Sequence, residues 1–353
     1  MPSWIPALRV GALCAALLTP AIAVAGPSFN NVFVFGDSLS DTGNLAEIQA
    51  VQQNKLPGPG DNFPNPPFFH DSITNGPVAV ELLAEHFGTR ADPSLFATGF
   101  ADVKQLGLTP GTNFAVAGAT STSRGLGIDL PEQIGAFANH VGGQADPKSL
   151  YVVFIGGNDV RTAAKAGTTD FVNSGVATEI AGVQALINDG AKHLLVVNVG
   201  NVGGIPEFAE QDPTHAAAAT ADSLLYDLLL AQGVTGLSGA NPGAHITLFD
   251  FYAFSAAVAA HASDLGITDT TDPCLKTNFT PNANCFDPVT QHILFDKFLF
   301  WDNIHPTAEV QAAWSEGLIA AAESNAVPGP NTVVLLIIGL AGMAAGNWCR
   351  RKV

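Results

Sequence analysis

Basic residues are scarce in this chain: 14 Lys and Arg stand against 31 Asp and Glu, a formal net charge of −17. Binding a nucleic-acid backbone requires clustered cations that displace counterions, so the balance argues against nucleic acid as a partner. Charged residues of both signs make up only 13% of the chain and hydrophobic ones 47%, so 353 residues can bury a large core. Cysteine is also sparse. Of the four, Cys14 and Cys349 lie near the ends, leaving Cys274 and Cys285. No paired His or Cys pattern accompanies them, which argues against a metal site. There is no internal repeat and no linker between about residues 27 and 326, so one domain with loop insertions is the better count. No serine lies in a G-x-S-x-G elbow, which argues against the usual α/β-hydrolase class.

The two ends read as address segments. Residues 1–25 carry Arg9, an apolar run from Val10 to Leu18, and the small-residue site Ala23-Val24-Ala25, the pattern of a secretory signal peptide cleaved after Ala25. Residues 327–353 open on Val327-Pro328-Gly329-Pro330, continue in an apolar run from Val333 to Ala345, and end in Arg350-Arg351-Lys352. The run is short for a free-standing membrane span, which needs roughly 20 residues. This tail resembles the PEP-CTERM sorting signal of exopolysaccharide-producing Gram-negative bacteria, with Gly329 where that signal usually has Glu. The resemblance implies processing by an exosortase-type enzyme and membrane attachment through the tail before processing. An ordinary tail anchor is the alternative. Either way residues 26–326 are expected to be exported, to the cell surface, outer membrane or extracellular matrix. In an exported protein Cys274 and Cys285, within one Pro/Asn-rich loop, are expected to form a disulfide.

Between the ends, apolar and β-branched runs mark buried strands at Val32–Phe35, Leu150–Ile155, His193–Val199 and His245–Asp250, with a short strand within Thr112–Thr120. Helices are expected at Val78–Gly88, about Leu130–His140, Thr178–Gly190, Asp212–Leu237, Phe251–Leu265 and Thr307–Glu323. Strands alternating with helices predict a parallel sheet covered on both faces. Lys55–Phe69, with five prolines, is a long loop that forms either a wall of a substrate cleft or a solvated insertion.

The chemistry-bearing residues sit at strand ends. Ser38, in Phe35-Gly36-Asp37-Ser38-Leu39, follows the first strand where a helix could begin. There a free N–H and the positive helix end would suit a nucleophile that creates an oxyanion. A helix cap is an equal reading of that stretch alone. Gly118 leaves the 112–120 segment and can offer a backbone N–H. Asn158, in Gly156-Gly157-Asn158-Asp159, lies just past a strand's carboxyl end, where open α/β sheets bind ligands. It is either a donor to an oxyanion or a turn residue. Asp302 and His305, in Trp301-Asp302-Asn303-Ile304-His305-Pro306-Thr307, are spaced to meet the sheet end together. Serine, a Gly N–H, an Asn amide and an Asp/His pair are the parts needed for acyl transfer.

These blocks, in this order, together with Phe35–Asn44 and Asn75-Gly76-Pro77, resemble the conserved blocks of the GDSL, or SGNH, esterases and lipases. The resemblance spans the exported region. It implies a flavodoxin-like three-layer α/β/α sandwich, Ser38 as nucleophile, His305 as general base and Asp302 as its orienting partner. It implies an oxyanion hole made by the Ser38 and Gly118 N–H groups and the Asn158 side chain, with Ala117 where relatives often have a second Gly. No metal or organic cofactor is implied. The expected activity is ester hydrolysis through an acyl-serine, with an acyl-lipid or aryl ester as substrate. The tail raises a polysaccharide O-acetylesterase as an alternative. A non-catalytic surface or matrix protein on a hydrolase fold is the reading from outside enzymology.

Overall fold

The computed structural model describes residues 28–55, 62–98 and 108–324. The signal-like segment 1–25 and the tail 327–353 lie outside the described residues. Four strands form the central sheet: β1 (Val32–Gly36), β2 (Leu150–Phe154), β3 (His193–Val197) and β4 (His245–Phe249). They pair in that order, all parallel. Side chains alternate across the sheet, and both faces are buried. Phe33, Phe35, Tyr151, Val153, Leu194 and Val196 enter one core. Val32, Val34, Val152, Phe154, Leu195 and Val197 enter the other. Near-continuous apolar strands are what a sheet covered on both sides requires.

The expected strand within 112–120 is reduced to a bridge beyond β1. Val34 N–H donates to the Thr112 carbonyl (3.0 Å), Phe114 N–H to Val34 (2.7 Å) and Val116 N–H to Gly36 (3.2 Å). Residues 92–94 bond its other side, with Asn113 N–H donating to Asp92 and Ser94 N–H to Asn113, so the segment is held at both edges without extending. Spatially the order is 112–116, β1, β2, β3, β4, the doubly wound arrangement that reverses direction between β1 and β2. The register sets Gly36 opposite Phe154, Phe154 opposite Val197 and Val197 opposite Phe249, so the carboxyl ends finish flush.

One face carries α3 (Leu130–Val141), α4 (Gly157–Ala166), α5 (Asp170–Asp189) and α6 (Pro213–Ala240); the other carries α2 (Ala79–His86), α7 (Phe251–Ala260) and α8 (Ala308–Ser324). The sandwich is therefore the three-layer α/β/α arrangement. Helix α1 (Asn44–Gln52) starts six residues after Ser38, and α4 has no counterpart in the sequence reading. Helix α5 begins eight residues earlier than its periodicity suggests. Its polar opening is tolerated because Ser174 and Thr178 hydroxyls donate back to the carbonyls of Asp170 and Ser174, the i−4 bond such residues make inside helices. The expected Phe251–Leu265 helix ends at Ala260 and continues as a single 3₁₀ turn. Among the described residues no helix is long and apolar enough to cross a membrane.

A third, smaller core supports the segment before α8. The Cys274 and Cys285 sulfurs lie at bonding distance with Cα atoms 5.1 Å apart, and both residues pack with Phe68, Leu275, Phe298 and Trp301. Cys274 N–H donates to Phe300, Leu275 N–H to Trp301 and Trp301 N–H to His305. The Trp301 indole donates to the Pro67 carbonyl at 3.2 Å. The described part of the proline-rich loop, 62–69, thus braces this segment from behind.

Asp227 of α6 has an electrostatic consequence for stability. Burial pushes its carboxyl up to about 8, with the Val199 N–H pulling down and Asp250 pushing further up. One of its oxygens is buried without a partner. A raised carboxyl takes up a proton on folding, so its contribution is intact below about pH 4 and is lost as pH rises through about 8. Asp227→Asn, which has no charge to bury, should melt at a higher temperature than the parent at pH 9. The gap should narrow towards pH 5. Melting curves at the two pH values check this, and parallel shifts would refute it.

Candidate active site

Ser38, Asn158 and the Asp302–His305 segment meet at the flush carboxyl end of the sheet, at the switch point between β1 and β2. Each is set there by a different local device. Gly36 closes β1 where a side chain would drive into the Phe154 carbonyl, and buried Gln133 bonds both its N–H (2.9 Å) and its carbonyl (2.8 Å). The chain then makes one turn, with Ser40 and Asp41 N–H donating to Asp37. Ser38 does not begin a helix, although the sequence allowed one to start there; α1 starts at Asn44. The reason is Asp41, whose carboxylate collects the N–H groups of Gly43 (2.8 Å), Asn44 (2.7 Å) and Leu45 (3.1 Å). It opens α1 past the turn, so the N-terminus of α1 does not lie at Ser38.

The same Asp41 carboxylate accepts the Ala117 N–H at 2.8 Å. That bond consumes the amide preceding Gly118 and leaves the Gly118 N–H without an acceptor among the described residues; the same holds for Ser38 N–H. Gly118 adopts φ +86, a left-handed conformation that favours glycine. The Arg124 guanidinium holds its carbonyl at 2.7 Å and is itself held by Asp129 at 2.8 Å.

Ser38 Oγ lies 2.7 Å from His305 Nε2. His305 Nδ1 lies 2.9 and 3.0 Å from the two Asp302 oxygens. The same carboxylate accepts the backbone N–H of Ile304 (2.8 Å) and His305 (2.7 Å). Burial pushes the Asp302 carboxyl up, but the His305 ring and these N–H groups outweigh it and hold the group below the usual carboxylate range. An ionised Asp302 fixes the imidazole with its proton on Nδ1 and leaves Nε2 to accept from the serine. Asn75 Oδ1 accepts the Ala308 N–H at 3.0 Å, and the Thr74 hydroxyl donates to the Pro306 carbonyl. The Asn75-Gly76-Pro77 segment therefore anchors the start of α8, directly after the histidine.

Asn158 sits in the first turn of α4. Its Nδ2 donates to the Ala119 carbonyl at 2.8 Å, one of its two protons. Asp159 is buried and accepts the Ser121 N–H at 2.8 Å; burial pushes its carboxyl to about 7. Asp37 is buried too and pushed to about 6 by the same cause, against the Leu39 N–H and the His305 ring.

An apolar cavity of about 280 Å³ opens at Ser38 and Asn158 and runs between the sheet and helices α7 and α8. Phe154, Phe251, Val258, Leu299, Val310 and Trp314 line it, and Arg161 lines it too. Residues 62–69 do not line it, so the described part of the proline-rich loop is not a wall of this cavity. Among the described residues no group of three His, Cys, Asp or Glu side chains is placed to hold a metal ion. Sequence reading missed Asp41, Arg161, Glu207 and Asn303. Asp41 alone left a trace, as a capping-type Asp three residues before α1.

Comparison with known proteins identifies the family. The family described as GDSL-like Lipase/Acylhydrolase matches residues 32–318. A GDSL esterase/lipase of Arabidopsis thaliana is 24% identical, over 85% of this chain and 90% of the relative. The phosphatidylcholine-sterol acyltransferase of Aeromonas hydrophila is 23% identical, over 87% of this chain and 94% of the relative. The thermolabile hemolysin of Vibrio parahaemolyticus is 24% identical over 84% of this chain, which spans 64% of that relative's length. The chain is an ester-hydrolysing serine hydrolase and belongs to the GDSL-like lipase/acylhydrolase family.

Proposed function

We propose that this enzyme cleaves carboxylic esters of an apolar acyl group, with Ser38 as nucleophile. The observation that carries the reading is the unbroken Ser38–His305–Asp302 hydrogen-bond chain at the mouth of an apolar cavity. Ser38 Oγ attacks the ester carbonyl while His305 Nε2 takes the hydroxyl proton. The tetrahedral oxyanion is met by the Ser38 and Gly118 N–H groups and the free Asn158 Nδ2 proton. Collapse breaks the ester C–O bond, and His305 returns the proton to the leaving alcohol. Water then attacks the acyl-serine by the same route and releases the acid and Ser38. Asp302 stays ionised throughout and stabilises the imidazolium.

The acyl group lies in the cavity and the alcohol faces solvent. The relatives named for lipase and phosphatidylcholine-sterol acyltransferase activity support an acyl-lipid substrate. We also propose that the enzyme is exported by residues 1–25 and sorted by the PEP-CTERM-like tail 327–353. The paired Cys274 and Cys285 suit an oxidising compartment.

The test is a p-nitrophenyl ester series from acetate to palmitate, with acetylated xylan alongside and Ser38→Ala as blank. Because the cavity is lined mainly by apolar side chains, turnover should rise with acyl length from acetate through the short members of the series. A preference for acetate, with acetate released from xylan, would instead favour a polysaccharide O-acetylesterase. No serine-dependent turnover on any substrate would favour the non-catalytic surface protein.

A further inference from the structure

We propose that Arg161 is a positioning residue for the oxyanion hole, holding the Asn158 amide in its productive orientation and polarising it. The proposal rests on the reading above that Asn158 serves the oxyanion. A carboxamide has nearly the same shape either way round, so its orientation is set by its partners. Arg161 lies one helical turn after Asn158 in α4, and its guanidinium donates to Asn158 Oδ1 at 2.7 Å. At the other end, Asn158 Nδ2 donates to the Ala119 carbonyl. A flipped amide would set Oδ1 against that carbonyl and the amide protons against the guanidinium, so both contacts would turn repulsive. A cation on the amide oxygen also draws electron density from the nitrogen. The Nδ2–H then becomes a stronger donor, most of all when it faces an anion.

Arg161 is itself held. Its Nε and a terminal nitrogen form a fork with the Glu207 carboxylate at 2.6 and 2.8 Å, and Lys165 donates to the same carboxylate at 2.7 Å. Burial pushes the Glu207 carboxyl up, but these cations outweigh it and keep it ionised. Glu207 also reaches the opposite side of the site. Its N–H donates to the Asn303 carbonyl at 2.9 Å, and Gln211, four residues on, donates from Nε2 to Asn303 Oδ1 at 2.7 Å. Asn303 lies between Asp302 and His305. The amide of the hole and the Asp302–His305 segment thus share one frame, closed through Arg161 and Glu207.

The experiment is a double-mutant cycle in the full-length chain, with p-nitrophenyl butyrate as probe and thermal melting as the control for folding. Asn158→Ala should lower kcat by about 10²–10³, the cost of one oxyanion donor. Arg161→Met should lower kcat by about ten- to a hundredfold and leave KM within about twofold, the pattern of an interaction made in the transition state. In the Asn158→Ala background the same substitution should cost less than about twofold, because its only route is already gone. Equal losses in both backgrounds would overturn the proposal, as would a raised KM with kcat kept, since the guanidinium would then be binding substrate.

If Arg161→Met does not fold, Glu207→Gln, which leaves Arg161 in place, should lower kcat in the same sense and fall silent in the Asn158→Ala background. A further readout needs no turnover. The Asn158 side-chain amide proton resonances, identified by their loss in Asn158→Ala, should move upfield in Arg161→Met, because the cation no longer polarises the amide through Oδ1. Unchanged shifts would count against the proposal whatever the parent's activity on esters, whereas an inactive parent would strike only the reading of its function.

Discussion

Ser38→Ala should lower kcat by about 10⁶, the loss seen when the nucleophile of a coupled serine site is removed. The fold should survive it. Ser38 is half-buried, and its Oγ bonds only His305 Nε2, where water entering from the cavity that Ser38 lines can replace it. No buried group is orphaned and no cavity forms, so stability should stay within about 0.5 kcal/mol of the parent. The turn that carries residue 38 is held from elsewhere, by Ser40 and Asp41 N–H on Asp37 and by the Asp41 carboxylate on α1. Two measurements check the role. Initial rates on a p-nitrophenyl ester give the loss of turnover. Mass spectrometry after a fluorophosphonate gives the site, since the parent should gain one phosphonyl group on Ser38 and the variant none. Turnover retained within about tenfold would move the nucleophile elsewhere, and a phosphonyl group found on another serine would say where.

The sheet was legible because both of its faces are buried. Leu150-Tyr151-Val152-Val153-Phe154 has no charged residue to confuse its reading, and the same holds for β1. The 112–116 segment was harder. Asn113 interrupts it, and only the fold shows that its side chain is spent on the Ser40 carbonyl and the Thr42 hydroxyl. Helix α4 escaped notice because its opening Gly156-Gly157-Asn158-Asp159 reads as a turn. The structure uses that turn as a helix start, with Gly156 at φ +112. The residues named for chemistry were visible because each lies in a short local motif at a strand end. Their supports were not. Arg161 and Glu207 are 46 positions apart, and Glu207 and Asn303 are farther still; no periodicity links them. Asp41 is the middle case. It sits within the first motif, yet its bond to Ala117, 76 positions on, is what selects Gly118 over Ala117 as the free amide of that turn.

Asp302→Asn should lower kcat by about 10⁴ while leaving the segment in place, and the reason lies in the tautomer of His305. An asparagine can keep its Oδ1 on the N–H groups of Ile304 and His305, which the carboxylate accepts at 2.8 and 2.7 Å. Its Nδ2 then faces the imidazole. Two donors cannot share that contact, so His305 Nδ1 becomes the acceptor and the ring proton moves to Nε2, 2.7 Å from Ser38 Oγ. A ring that presents N–H to the serine cannot take its proton. KM should change little, because neither Asp302 nor His305 lines the cavity. The downfield proton NMR signal of an Nδ1–H bonded to a carboxylate should vanish with the substitution. A kcat loss below about tenfold would mean that Asp302 does not set the tautomer. The variant also separates chemistry from stability. The parent's carboxyl is depressed, so its contribution to stability is full above the ordinary carboxylate pKa and is lost as pH falls through the depressed one. Asp302→Asn should therefore flatten the acid limb of the melting profile, and a limb unchanged in depth would place the acid sensitivity on other carboxylates.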